Sequence, residues 1–190
     1  VRKLVISWWT NIRFEKSFTQ ELCYLMAQSG CIAVSGGIEV ASNRLLKLMN
    51  KGVTVEQAAQ TAYYLTQNNI MVHAYLMYGF PTQTIQETID GLEIIRQMFA
   101  EGLIQSAFWH RYAMTLHSPS GMDSKAFGAY CLPTEIGTFA NNEIPFTDNQ
   151  EIDLDMIGSG LKKATFNYMH GLGYDIAVNE WFEAQVPTST

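Results

Sequence analysis

The sequence predicts an α/β fold: a partial (β/α) barrel of about four parallel strands, followed by a C-terminal helix. Three observations predict it. Short apolar, β-branched and aromatic runs alternate with longer stretches whose apolar residues recur at helical spacing, the pattern of right-handed βαβ units. Helix-start signals follow the runs closely, as such units require. Only four runs of this kind occur, where a closed barrel usually takes eight, so the sheet keeps an open edge.

The elements follow in order. Lys3 to Trp9 is a buried strand by composition. Ser17 then precedes Phe18, Leu22, Leu25 and Met26, one stripe of an amphipathic helix that Gly30 ends. "CIAVSGG" is too short for a helix and suits a strand buried on both faces. Ser42 or Asn43 caps a helix carrying Leu45, Leu46, Leu48 and Met49, which stops at "NKG". Thr54 with Gln57 forms a capping box for "VEQAAQTAYYLTQNN", and "IMVHAYLMYG" is the third strand. Thr84 with Glu87 repeats the box, with Ile85, Ile89, Leu92 and Ile95 as the stripe, and "IQSAFWHRYAM" is the fourth strand. Residues 1–112 thus form the barrel portion and 113–150 a long irregular excursion, of the kind that more often carries function than not. Residues 151–190 are a helical extension led by Asp153 or Asp155, with Leu154, Ile157, Leu161, Ala164 and Tyr168 on one face.

Hydrophobic residues make up 47% and charged residues 16%, low in charge for a water-exposed domain, which points to extensive burial or to a face that is normally covered. A net charge of −6 without any Lys/Arg cluster argues against a nucleic-acid partner, and no apolar run reaches the roughly 20 residues of a membrane span. Cys23, Cys31 and Cys131 lack the spacing of a disulfide framework or metal knuckle, and no targeting segment is evident, so a reduced, cytoplasmic setting is expected. The opening at Val1, directly into a strand-like run, reads as a cut inside a larger protein.

In parallel α/β folds, ligands sit at the carboxyl ends of the strands. Four stretches fall there: "TNIRFE", "GGIEVASNR", "YGFPTQT" and "HSPSG". Gly36 and Gly37 permit a close backbone approach, and Glu39 with Ser42 can meet ammonium and hydroxyl groups, unless Glu39 merely pairs with Arg44 or Arg13. Gly79-Phe80-Pro81 is a rigid loop whose free backbone groups suit a planar ring or an anion, and it equally suits a plain strand-to-helix turn. The four histidines have no metal-ligand spacing. Of His110 and Arg111, whichever faces the interior is the substrate-site candidate.

These residues carry a family resemblance. The stretch from Gly37 to Gly52 resembles the pattern Gly-Ile/Val-Glu-Ser-Gly-Ser-x-Arg-Val/Ile-Leu-Lys-x-Met-x-Lys-Gly of the radical S-adenosylmethionine (SAM) domain. It matches at Gly37, Ile38, Glu39, Ser42, Arg44, Leu46, Lys47, Met49, Lys51 and Gly52. Gly79, Phe80, Pro81 and Thr84 match the second pattern, Gly-Phe-Pro-Gly-Glu-Thr. The likeness, over about residues 3–112, is to the subgroup whose members often carry an upstream cobalamin-binding domain. It implies that the strands are the third to sixth of a six-stranded half-barrel. It further implies that Glu39, Ser42 and Gly37 lie near bound SAM, and that Gly79, Phe80 and Pro81 lie under its adenine. Asn11 and Arg13, at the end of the preceding strand, match no strict motif and are expected as additional contacts. Catalytic residues are not identifiable. Val40 and Ala41 stand where Ser and Gly are usual, and Thr82-Gln83 replaces Gly-Glu. The CxxxCxxC loop that binds the 4Fe-4S cluster is absent, and reductive cleavage of a sulfonium needs such a cluster and its thiolates. The resemblance therefore implies the C-terminal portion of a radical SAM enzyme, completing a SAM pocket whose cluster ligands lie elsewhere, with cobalamin as a further cofactor. A non-catalytic binding module on the same half-barrel is the alternative, and self-association through the sheet edge is open to either.

Overall fold

The computed structural model describes residues 5–134 and 142–190. Four strands, β1 (Trp8–Ile12), β2 (Cys31–Glu39), β3 (Met71–Tyr78) and β4 (Ser106–Arg111), form one all-parallel sheet in the order β1-β2-β3-β4. Sequential order with parallel pairing is the topology of a barrel wall, because each right-handed crossover advances the sheet by one strand and leaves its helix on the same face. The crossovers are α1 (Gln20–Gln28), the pair α2 (Asn43–Leu48) and α3 (Val55–Gln67), and α4 (Ile85–Ala100). A last helix, α6 (Leu154–Met169), packs on β4 and α4, where Trp109 Nε1 donates to Thr165 Oγ1 at 2.8 Å inside the interface.

Period-two alternation divides the sheet. Val34 and Ile38, Val72, Ala74 and Leu76, Ala107 and Trp109 point toward the helices, joining Leu65, Ile89, Leu92, Ile95, Leu161 and Tyr168 in one core. The other face carries Trp9, Asn11, Ser35, His73, Tyr75, Phe108 and His110 and is left largely uncovered, with Trp9 64% and Phe108 50% exposed. Burial on both faces, expected for "CIAVSGG", holds on the helix side only. A barrel wall lacking an opposite wall leaves its inner face to solvent.

Two boundaries differ from expectation. The first strand is Trp8–Ile12 rather than Lys3–Trp9; Lys3 and Leu4 lie outside the described residues, and Val5 and Ile6 are exposed without strand structure. A parallel strand begins where its neighbour does, and β2 begins at Cys31, opposite Trp8. The α1 stripe is also displaced: Thr19 caps the helix, Cys23 and Met26 are buried, and Leu22 and Leu25 are exposed. The positions of β2 and α3, which α1 contacts, decide which side it buries.

The helix starts otherwise follow their signals. Ser42, Thr54, Thr84 and Asp153 are N-caps. The Thr84–Glu87 box is reciprocal, whereas the Gln57 side chain turns away to donate to the Phe14 carbonyl at 2.8 Å. The excursion after β4 has structure of its own: a short helix, α5 (Pro119–Met122), a 3-10 turn at Ser124–Phe127, and a two-stranded antiparallel pair, β5 (Tyr130–Cys131) with β6 (Phe146–Thr147). Met114, Ala129 and Ile144 pack together beneath it. No described helix is long and apolar enough to cross a membrane.

Candidate functional site

The strand ends place the motif residues together. Glu39 closes β2 with φ +61°, after a register shift at Gly37. Its carboxylate folds back over Gly37, where any Cβ would collide with Oε1, so glycine is required there for the acid to lie along the open face. The partner of Glu39 is neither Arg44 nor Arg13 but Lys51, whose Nζ donates to Oε1 at 2.7 Å. Arg13 instead donates to the Lys51 backbone carbonyl and lies 3.4 Å from Glu15. Lys51 is thus held at both ends, its carbonyl by Arg13 and its ammonium by Glu39, at the carboxyl ends of β1 and β2. Asn11, exposed on the open face beside Ser35, makes no side-chain hydrogen bond among the described residues.

Ser42 is occupied twice: its Oγ accepts from Leu45 N–H at 3.4 Å and donates to Glu87 Oε1 at 3.1 Å. Glu87, from α4, also grips Arg44 in a two-pronged pair, Nε to Oε1 at 2.7 Å and Nη2 to Oε2 at 2.6 Å. Burial by itself would push the Glu87 carboxyl up; hydrogen bonds from Arg44, the Thr84 backbone and Ser42, with the Arg44 charge, outweigh it and hold the carboxyl down at about 2.

The turn after β3 meets this network. Gly79 has φ +77° and Thr82 φ +65°. The Phe80 ring is buried against Val40 and Leu45 in one cluster, edge-on to Tyr112 at 4.8 Å, so the Glu39 loop and the Gly-Phe-Pro turn share one end of the sheet. Two amides of this turn are taken: Phe80 N–H donates to Gln83 Oε1 at 3.2 Å and Thr82 N–H to Asp148 Oδ2 at 2.7 Å. A buried turn must satisfy its own amides. Beside the turn lies a cleft of about 740 Å³ lined by Gly79, Phe80, Arg111, Tyr112, Phe146 and Asp148 among others.

His110 and Arg111 face opposite ways. His110 lies on the open face, its ring 4.7 Å from Phe108 and 6.0 Å from Tyr75. Arg111 reaches Asp155 at 3.1 Å and lines the cleft. A smaller groove of about 360 Å³ on the open face includes Trp9, Ser35, His73, Tyr75 and Ser106. There His73 Nδ1 lies 2.7 Å from Ser106 Oγ, and burial, with the neighbouring His110, pushes its imidazole below the ordinary value.

Lys51, Thr82 and Asp148 escaped the sequence-level list of site residues. Lys51 stood in the matched motif and could have been found there; Thr82 and Asp148 carry no sequence signal beyond Thr82's departure from glycine.

The sequential parallel sheet with its loops gathered at the carboxyl rim resembles the radical SAM fold. Residues 11–95 match the model of the Radical SAM superfamily. An uncharacterized methyltransferase of Pyrococcus horikoshii is 31% identical over 95 residues, covering 50% of this chain and 20% of that protein. A tRNA-2-methylthio-N(6)-dimethylallyladenosine synthase of Thermotoga petrophila is 24% identical over 115 residues, 58% of this chain and 24% of that one. The radical SAM methyltransferase TsrM of Kitasatospora setae, in its structure with tryptophan substrate and aza-SAM, is alike in fold, with TM-score 0.51 and 19% identity. That match covers 67% of this chain and 25% of TsrM. The chain thus spans about a fifth to a quarter of the length of these relatives.

The donor set suits SAM in part: a half-buried carboxylate beside two cations matches the ammonium, hydroxyl and carboxylate groups of that molecule. It does not suit a 4Fe-4S cluster. Among the described residues no group of three or more His, Cys, Asp or Glu could hold a metal, and Cys23 and Cys31 are buried, with thiols pushed up by that burial.

Proposed function

We propose that this chain forms the later wall of a radical SAM barrel, supplying part of the SAM pocket and the loops that face the substrate. The observation that carries the reading is the meeting of Glu39 and the Gly79-Phe80-Pro81 turn through the Val40, Leu45 and Phe80 cluster, at the rim of an uncovered barrel face. In this reading the Glu39 carboxylate, held by Lys51 over Gly37, would accept hydrogen bonds from the ammonium or ribose hydroxyls of SAM. Arg13 would pair with its carboxylate, and Asn11 would supply an amide. Ser42 acts through the loop it caps, and Gly79 to Pro81 shape the adenine end. The sulfonium of SAM supplies the scissile bond of the chemistry. The thiolates of the cluster belong to polypeptide other than these 190 residues. The names of the relatives support methyl or methylthio transfer as the reaction class of the assembled enzyme, and TsrM, solved with cobalamin and a cluster, supports cobalamin as a further cofactor.

Two measurements test the reading. Calorimetry of SAM against the chain is expected to show binding that Glu39→Ala weakens about tenfold, the loss of one charge-assisted contact; no binding, or binding indifferent to that change, overturns the assignment of the pocket. Expression together with the coding sequence upstream of residue 1, followed by anaerobic reconstitution with iron and sulfide, is expected to release 5′-deoxyadenosine. A cluster-loaded protein that releases none overturns the catalytic part.

A further inference from the structure

Thr82 is a β-branched residue at φ +65°, a backbone region that such side chains rarely enter. It is surrounded by groups that hold it there. Arg44 Nη2 donates to the Thr82 carbonyl at 2.8 Å and Nη1 to its hydroxyl at 3.2 Å. Asp148 receives the Thr82 N–H at 2.7 Å. Arg44 is itself immobilised by both oxygens of Glu87, which also receives the Ser42 hydroxyl and the Thr84 N–H. Every polar group of Thr82 is therefore engaged by a charged side chain, and those side chains come from two separate parts of the chain, α2 and the excursion after β4, with Glu87 of α4 bracing Arg44 from behind.

We propose that Arg44, Glu87 and Asp148 are positioning residues, a clamp that holds Thr82 in the left-handed conformation and so seats the Gly79-Phe80-Pro81 turn against the Glu39 loop. The motif pattern has glycine at position 82, which enters this region unaided; this chain reaches the same backbone by gripping a threonine. Two consequences follow. The clamp registers the two motif loops to each other, since Arg44 and Ser42 sit on one and Thr82 on the other. Asp148 ties the excursion to the same turn, so the placement of a substrate-facing loop is coupled to that of a cofactor-facing one. The functional value of the clamp rests on the reading of this rim as a SAM pocket; its conformational role does not.

The test is a suppressor experiment on the full chain. Arg44→Ala is expected to speed hydrogen exchange at the Phe80 and Thr82 amides by tenfold or more, because the turn opens locally. It is expected to weaken SAM binding by about tenfold, as the competent turn falls to roughly a tenth of the population. Adding Thr82→Gly to Arg44→Ala is expected to restore both, because glycine holds the conformation without help. Arg44→Lys, which cannot make the two-pronged contact, is expected to behave like Arg44→Ala. Should Arg44→Ala impair the fold as judged by near-ultraviolet circular dichroism, Asp148→Asn asks the same question at the Thr82 amide alone. Exchange unchanged in these variants, or defects that Thr82→Gly fails to suppress, overturns the clamp; a purely electrostatic or bulk-stability role for Arg44 would give the latter result. If the wild-type chain binds no SAM, the pocket assignment falls while the exchange arm still decides the clamp.

Discussion

At the scale of single residues, the rim is built from backbone conformations that its side chains do not favour. Glu39, Ala41 and Thr82 all have positive φ, and two of them, Ala41 and Thr82, occupy positions where the motif patterns have glycine. A left-handed non-glycine residue costs roughly 1–2 kcal/mol. Ala41→Gly is therefore expected to leave stability unchanged or raise it by up to about 1 kcal/mol, the strain relieved being partly offset by the greater freedom of glycine in the unfolded chain. Urea denaturation measures it, and a loss of more than 1 kcal/mol would mean that the conformation carries no strain. Glu87 makes a second prediction. Its carboxyl is held at about 2 in the folded state, below its ordinary 4.5, so its contribution is present above the ordinary value and disappears as pH falls through the folded one. Stability should drop by up to about 3 kcal/mol between roughly pH 5 and pH 2 through this group. Glu87→Gln should flatten that segment of the stability-against-pH curve while lowering its plateau.

At the scale of elements, the crossover helices sit where small residues let them. A Cβ on Gly91 of α4 would lie 2.8 Å from the Val40 carbonyl, in the very loop that joins β2 to α2. Helix propensity favours alanine over glycine by about 1 kcal/mol, but backbone overlap opposes it with roughly 1–3 kcal/mol. The second effect should win, because a backbone carbonyl cannot swing aside as a side chain can. Gly91→Ala is expected to destabilise the chain and to displace the Glu39 loop, read by denaturant midpoint and by weakened SAM binding. Much of this level was legible beforehand. Four of the helix N-caps were marked by Ser, Thr or Asp before an apolar stripe, and the boundaries of β3 and α4 lay within their expected stretches. The buried side of α1 was not, because Leu22 and Leu25 are as apolar as Cys23 and Met26 and only the neighbouring elements distinguish them.

At the scale of the whole molecule, the open sheet face explains the low charge content. Trp9, Met71, Tyr75 and Phe108 lie on a surface that in a complete barrel is the lumen, and the outer edge of β1 has no partner among the described strands. Such an edge and face invite strand addition or self-association. Trp9→Lys is expected to reduce self-association in sedimentation experiments while changing stability by no more than about 0.5 kcal/mol, since the side chain it removes is mostly exposed. A large loss of stability would show that Trp9 is a core residue instead.

The order of the four main strands and their crossover helices, four of the N-caps and the motif stretches at the strand ends were legible in the sequence alone, because periodicity, capping chemistry and glycine placement act over a few residues; the α5 and β5–β6 pieces of the 113–150 excursion were not. Which charges pair was decided only in three dimensions. Lys51 rather than Arg44 or Arg13 meets Glu39, and Arg44 crosses to Glu87 and Thr82, because those partners lie 12 to 43 residues apart and converge only when the parallel sheet brings its strand ends to one rim. The same holds for the Phe80 turn, whose amides look available in the sequence and are satisfied by Gln83 and Asp148 in the fold. Local chemistry names the candidates, and the topology chooses among them.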